Sequence, residues 1–113
     1  MEVNRITIKG FVGSREVRNP GKGNEHFKLS VCVNEEIRRD RNGRPVYDKT
    51  WFDVVGFDSM ASRMDRSGVK VGDFVEVIGK MKSNVWGEGP NKRVSYNIIA
   101  NNFGVIKRKK VDG

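Results

Sequence analysis

The sequence is poor in the residues that covalent and metal chemistry require. Cysteine occurs once, at Cys32, and histidine once, at His26. A lone cysteine excludes an intrachain disulfide and makes a reducing setting the default expectation. No base lies close to Cys32 in sequence, so a Cys-His nucleophile would have to be assembled in space. The plainer reading is a small strand residue and a histidine where a strand begins. Asp40, Asp48, Asp53, Asp58, Asp65 and Asp73 are scattered, without the compact ligand pattern that a metal-dependent enzyme needs. No catalytic residue, metal site or cofactor is expected. No apolar run approaches the roughly 18 residues of a membrane span. Glu2, Asn4, Arg5 and Lys9 interrupt any secretory apolar segment near the start. Neither a membrane nor a small-molecule substrate is expected as a partner. Acid is scarce relative to base: 14 aspartates and glutamates against 22 lysines and arginines, a net charge of +8. That excess favours a polyanionic partner, although charge alone does not choose between nucleic acid and anionic lipid.

What is present fits one domain of 113 residues, large enough for a core without staples. Its central stretch is Trp-Phe-Asp-Val-Val-Gly-Phe, from Trp51 to Phe57. Aromatic and β-branched residues make it a strand, and strand side chains alternate between faces. Phe52 and Val54 then point into a core, and Trp51 and Phe57 point the other way. Two readings fit those outer rings: burial by helices or another subunit, or platforms on which bases stack.

Residues 3–12 read as a first strand, with Ile6 and Ile8 inward and Arg5, Thr7 and Lys9 outward. Residues 13–25, centred on Asn-Pro-Gly-Lys-Gly-Asn, read as a loop. Gly21-Lys22-Gly23 lacks the spacing and context of a phosphate cradle. A second strand follows, with Phe27, Leu29, Val31 and Val33 on one face and Lys28, Ser30, Cys32 and Asn34 on the other. Residues 35–49 are highly charged, and Asn42-Gly43 between two strands predicts a two-residue type I′ hairpin turn. The hairpin tip is rich in arginine, suited either to solvent or to phosphates. A third strand runs from about Val46 to Phe57, with Tyr47, Lys49, Trp51 and Phe57 on one face. Residues 58–66 predict a short helix capped by Asp58 or Ser59, with Met60, Ala61 and Met64 inward and Gly68 as its stop. Phe74 to about Trp86 predicts a fourth strand, with Lys80, Lys82 and Trp86 on one parity and Met81 and Val85 on the other. A loop at 87–92 and a last strand from Val94 to about Asn102 follow, and Phe103 to Ile106 close the domain.

Three strands, a helix and two more strands are the plan of an all-β OB-fold, a five-stranded Greek-key barrel with one short helix between strands three and four. Such barrels bind oligonucleotides on the face of strands two and three and on the loops joining strands one-two and four-five. The residues also resemble the bacterial-type single-stranded DNA-binding proteins. The resemblance runs from Asn4-Arg5-Ile6-Thr7-Ile8-Lys9-Gly10 through Gly13 and Glu16-Val17-Arg18 to Leu29-Ser30-Val31-Cys32-Val33-Asn34-Glu35. It continues in Thr50-Trp51-Phe52-Asp53-Val54-Val55-Gly56-Phe57, Gly79-Lys80-Met81-Lys82, Trp86, and Tyr96 through Asn102. It covers about residues 4–102.

The resemblance implies a non-enzymatic, sequence-independent binder that protects single-stranded DNA in replication, recombination or repair. Trp51, Phe57 and Trp86 fall where the family stacks bases. Arg5, Arg38, Arg39, Arg41, Arg44, Lys49, Lys80, Lys82, Lys92 and Arg93 are the candidate phosphate contacts. Ile37 stands where the family often has another aromatic, which implies a weaker subsite there. The family commonly works as a homo-oligomer, often a homotetramer. Its cellular members carry an acidic C-terminal tip that recruits partners, whereas this chain ends in Lys107-Arg108-Lys109-Lys110-Val111-Asp112-Gly113. That ending fits a truncated chain or a compact member such as a phage or plasmid encodes. The expected organisation is a binding domain over residues 1–106 and a disordered basic tail over 107–113, in the cytoplasm, at the nucleoid or in a phage host. RNA-binding and primosome-accessory proteins of the same fold are the alternative, and a barrel whose outer aromatics lie in a protein interface is another.

If these cations neutralise phosphates, affinity falls linearly with salt on logarithmic axes, by about 0.7 per contact on single strands. About four to eight contacts give a slope between roughly −3 and −6. A salt titration of binding checks this, and a flat line removes the basic residues from the interface. Deleting residues 107–113 is expected to lower the slope with the fold intact.

Overall fold

The computed structural model describes residues 1–18 and 24–110. The glycine-lysine-glycine segment at 21–23, with residues 19 and 20 of the same expected loop, lies outside the described residues. Five strands, β1 (Ile6–Arg18), β2 (His26–Arg39), β3 (Pro45–Phe57), β4 (Phe74–Trp86) and β5 (Arg93–Lys107), close into a barrel in the order β1-β2-β3-β5-β4. Neighbours are antiparallel except β3 and β5, which meet in parallel at Val54↔Ile98 and Val55↔Ile99. One helix, α1 (Ser59–Arg66), joins β3 to β4. This is the OB-fold plan expected from the order of elements.

Alternation fills the interior. Ile8, Val12, Phe27, Leu29, Val31, Val54, Val75, Val77, Ile98, Ala100 and Phe103 form the core, and Ala61 and Met64 of α1 pack into it. Gly56 makes room for that helix, since a Cβ there would lie 2.4 Å from the Met64 sulfur. Phe52, expected in the core, is only half-buried and packs against its edge.

Several boundaries differ from those expected. β1 does not stop at Val12 but continues to Arg18, with residues 14–18 paired to β2 after a shift in register between Val12 and Ser14. A polar and charged stretch remains a strand here because its partner supplies the ladder. The β2–β3 turn is not type I′: only Gly43 has positive φ, at 74°. Asp40 and Arg44 close a three-residue loop, and the Asp40 carboxylate accepts hydrogen bonds from the Asn42 and Arg44 N–H groups at 2.9 Å each. That carboxylate holds the chain in a turn followed by a left-handed glycine. Asp58 occupies the N-cap position but makes no side-chain cap, and Ser59 is already helical. Asp58 instead has φ 51° and donates its N–H to the Glu25 carbonyl at 3.0 Å. Gly68 does end the helix, at φ 69°.

The basic tail differs most. Lys107 ends β5, and Arg108 and Lys109 are anchored rather than free. Buried Asp73 accepts from the Lys109 N–H at 2.8 Å, from the Lys70 N–H at 2.9 Å and from Arg108 at 3.4 Å. Arg108 also donates to the carbonyls of Ser67 and Gly68. Burial pushes the Asp73 carboxyl up, but these donors together hold it below its ordinary value of 3.8. Removing residues 107–113 therefore strips Asp73 of two of its three partners. The expected outcome is a loss of roughly 1–3 kcal/mol in a denaturant melt, the cost of leaving a buried charged acceptor short of donors. Because the folded pKa is depressed, the contribution is present above the ordinary carboxylate value and lost as pH falls through the folded one. The truncated chain should lack that acid-labile part of its stability.

Candidate nucleic-acid interface

The interface grows from the outer face of β2 and β3. Opposite residues in a ladder point to the same side, so Cys32↔Trp51, Ser30↔Asp53, Lys28↔Val55 and His26↔Phe57 form successive rows. Trp51 is 59% exposed and Phe57 40%, so neither outer ring is buried by this chain. Phe57 meets the His26 ring edge-on at 4.8 Å, which fixes its orientation. The Trp51 indole reaches across β2 to β1. A Cβ at Gly13 would lie 2.4 Å from its six-membered ring, so only glycine lets the indole lie over the sheet. Cys32, between Trp51 and Phe11 in the register, is buried on this outer face. That burial removes the nucleophile reading.

Lys49 is exposed on the same face, one row beyond Trp51. Arg38, Arg41 and Arg44 are exposed at the hairpin tip and form no ion pair among the described residues. Arg39 differs: it pairs with Glu36 at 3.3 Å and donates to the Gly43 carbonyl at 2.8 Å, so it braces the turn. Ile37 sits at the register shift between Glu36 and Arg38 and is 59% exposed.

A second group lies on the β4–β5 hairpin. Trp86 is 54% exposed and pairs with Arg93, while Lys80, Lys82 and Lys92 are exposed nearby in the same hairpin. Arg5 joins them indirectly. The Asn4 side chain exchanges two hydrogen bonds with the Met81 backbone, at 2.7 and 3.0 Å, and so sets Arg5 beside the strand that carries Lys80 and Lys82. The two groups meet at a cleft of about 270 Å³ lined by Trp51, Phe52, Asp53, Met81, Tyr96 and Ile98.

Tyr96 was not among the expected site residues. Its parity is that of core residue Ile98, but the hairpin outruns the barrel there, and Tyr96 is 61% exposed. The alternation that picks out Trp51 and Phe57 also places Asp53 between them, and the structure leaves it exposed. On β1 the Arg18 guanidinium, bonded to Glu16 at 2.8 Å, holds that carboxyl below its ordinary value through the hydrogen bond and its charge. Among the described residues no group of His, Cys, Asp and Glu is placed to hold a metal.

The model of the single-strand binding protein family matches residues 3–106. The chain belongs to this family. Single-stranded DNA binding, without enzymatic activity, is the function that membership carries. No curated protein sequence matches the chain. Among solved structures, the fold is similar to that of a Plasmodium falciparum single-strand binding protein in complex with single-stranded DNA. That match has TM-score 0.74 and 21% identity and covers 96% of this chain and 97% of the other. A deletion mutant of the Thermus aquaticus single-stranded DNA-binding protein gives TM-score 0.72 and 15% identity, over 93% of this chain and 51% of that one. At these identities the two structures speak for the barrel alone.

For this single-strand binding family member, Gly13→Ala tests the placement of Trp51. The added methyl must displace the indole, so near-ultraviolet dichroism and tryptophan emission should change while far-ultraviolet dichroism keeps the barrel signature. Unchanged tryptophan spectra would mean that the ring does not rest over Gly13.

Proposed function

We propose that single-stranded DNA crosses the outer face of β2 and β3, with bases stacked on Trp51 and Phe57, and passes to the β4–β5 hairpin, where Trp86 offers another platform. The single observation that carries this reading is the Trp51 indole laid over Gly13 and left 59% exposed. A large ring braced against Gly13 and left uncovered suits stacking, which tolerates any base. Phosphates are met by Lys49, Arg38, Arg41 and Arg44 on one side and by Arg5, Lys80, Lys82, Lys92 and Arg93 on the other. Arg39 contributes through the shape of the hairpin and through what charge its pairing with Glu36 leaves. The role is protection of transient single strands in replication, recombination or repair, in the cytoplasm, where such strands arise.

The same proposal includes a homo-oligomer, with a tetramer as the family's usual count. Its support is an uncovered apolar pair at the β1 end of the Cys32 and Trp51 row. Phe11, 47% exposed, packs its ring 4.9 Å from that of Phe74 on the outer side of β1 and β4. Light scattering on the eluted protein measures this state directly.

Trp51→Ala and Trp86→Ala should each weaken single-strand binding by about 1–3 kcal/mol, the range for losing one stacking platform. Both should leave folding stability nearly unchanged, whereas fully buried Phe27 cut to alanine should cost about 3–5 kcal/mol. Fluorescence titration with a thymidine homopolymer, a duplex of matched length and an RNA of the same length separates the readings. Quenching by the single DNA strand alone supports the proposal. Equal affinity for RNA would favour an RNA-binding role. Dissociation of the assembly by Trp51→Ala would place that ring in a subunit interface instead.

A further inference from the structure

On the face assigned above to DNA, one carboxylate stands without a cation. Asp53 is exposed on β3, on the same side as Trp51 and Phe57. Glu16, Glu36 and Glu76 on neighbouring strands are paired, with Arg18, Arg39 and Lys9 at 2.8, 3.3 and 3.6 Å. Among the described residues Asp53 has no ion pair and no side-chain hydrogen bond. Lys28 lines a cleft with it but stands one row on, opposite Val55. A bare carboxylate repels phosphate, so its place between two stacking rings needs another ligand group.

The rows of the sheet indicate which. Ser14, Ser30 and Asp53 lie opposite one another across β1, β2 and β3, in the row next to Trp51. The two serine hydroxyls are 2.8 Å apart, and a Cβ at Gly13, beneath the indole, would lie 3.1 Å from the Ser30 oxygen. Clefts of about 270 Å³ open on both sides of Asp53, one shared with Ser14, Ser30 and Asn97, the other with Trp51 and Tyr96. A base stacked on Trp51 therefore turns one edge toward a polar row that ends in a carboxylate.

We infer that Asp53 is a base-edge acceptor that biases this face toward bases with an exocyclic amino group and against thymine. An ionised carboxylate only accepts hydrogen bonds. Cytosine offers its N4 amino group, adenine its N6 and guanine its N2. Thymine offers O4, an acceptor, and a methyl group, and its one ring N–H lies between two carbonyl oxygens that face the carboxylate unfavourably. The inference rests on the proposal that the Trp51 face binds single strands, and it adds a base preference to a surface whose stacking alone is tolerant.

The test measures binding of cytidine and thymidine deoxyoligomers of matched length, at one salt concentration, to the full chain and to Asp53→Ala and Asp53→Asn. Asp53 is exposed, and far-ultraviolet dichroism checks that the variants fold. In Asp53→Ala the cytidine affinity should fall roughly three- to tenfold relative to thymidine, the size of one ordinary hydrogen bond at a solvent-accessible site. Asp53→Asn, whose amide accepts from cytosine N4 and donates to thymine O4, should bring the two affinities closer together than they are in the unaltered chain. Affinities for both oligomers that rise by one common factor would show that the carboxylate acts only by repelling phosphate, and the inference falls. An unchanged ratio overturns it equally. Failure of the underlying reading looks different: the unaltered chain binds neither oligomer, or Trp51→Ala leaves both affinities as they were.

Discussion

Closure of the barrel is the constraint on which the rest depends. Once β4 pairs with β1 and β3 meets β5, each strand has a partner on both sides within the barrel, and open edges remain only where strands and hairpins run past it. The period of two then divides each strand into a face that fills a small interior and a face that cannot enter it. Val54 and Val31 are fully buried, and Asp53 and Trp51, of the opposite parity to Val54 on β3, have no route inward. The outer aromatics are therefore a consequence of closure: a narrow barrel has room for aliphatic side chains and a few rings such as Phe27, and the indoles are left outside.

Small residues set where those outer groups rest. Gly13 lets the Trp51 ring reach across β2 and rest against β1. Gly56 lets Met64 approach the other side of β3, so that α1 seals the interior behind the face that carries Trp51 and Phe57. One strand is thus packed from within and left open from without. A platform supported in this way loses little freedom when a base stacks on it, which favours affinity through pre-organisation.

Charge is arranged in two ways. Cations at the hairpin tip and on the β4–β5 hairpin stand mostly unpaired in solvent, where they suit a mobile polyanion whose binding weakens with salt. The C-terminal cations are held instead. Asp73 collects backbone and guanidinium donors from Lys70, Arg108 and Lys109, so the run that begins at Lys107 helps to fasten the end of β5 to the turn before β4. Similar side chains thus serve binding in one place and stability in another, according to whether a buried acceptor lies within reach.

Much of the fold was legible because alternation is a local property. The parity of residues 27–33 and 51–57 follows from strand geometry alone, and so did the outward placement of Trp51 and Phe57, whereas Trp86 and its opposite-parity neighbour Val85 are equally exposed because their hairpin runs past the barrel. The inward methionines of α1 and its stop at Gly68 were readable for the same kind of reason, as was the order of elements that implies the barrel. What depends on partners distant in sequence was not legible. The extension of β1 to Arg18 requires the β2 ladder, and the anchoring of Arg108 and Lys109 requires an aspartate some 35 residues earlier. The form of the Asn42-Gly43 turn was decided by the Asp40 carboxylate, which competes with the turn that the dipeptide alone favours. Tyr96 shares the parity of a core residue and is exposed only because its hairpin outruns the barrel. By itself, then, the sequence determined which face each strand residue takes, since that is set by the backbone of its own strand. The tertiary structure decided which residues those faces meet, because register, closure and the reach of a buried acceptor exist only when distant segments are brought together.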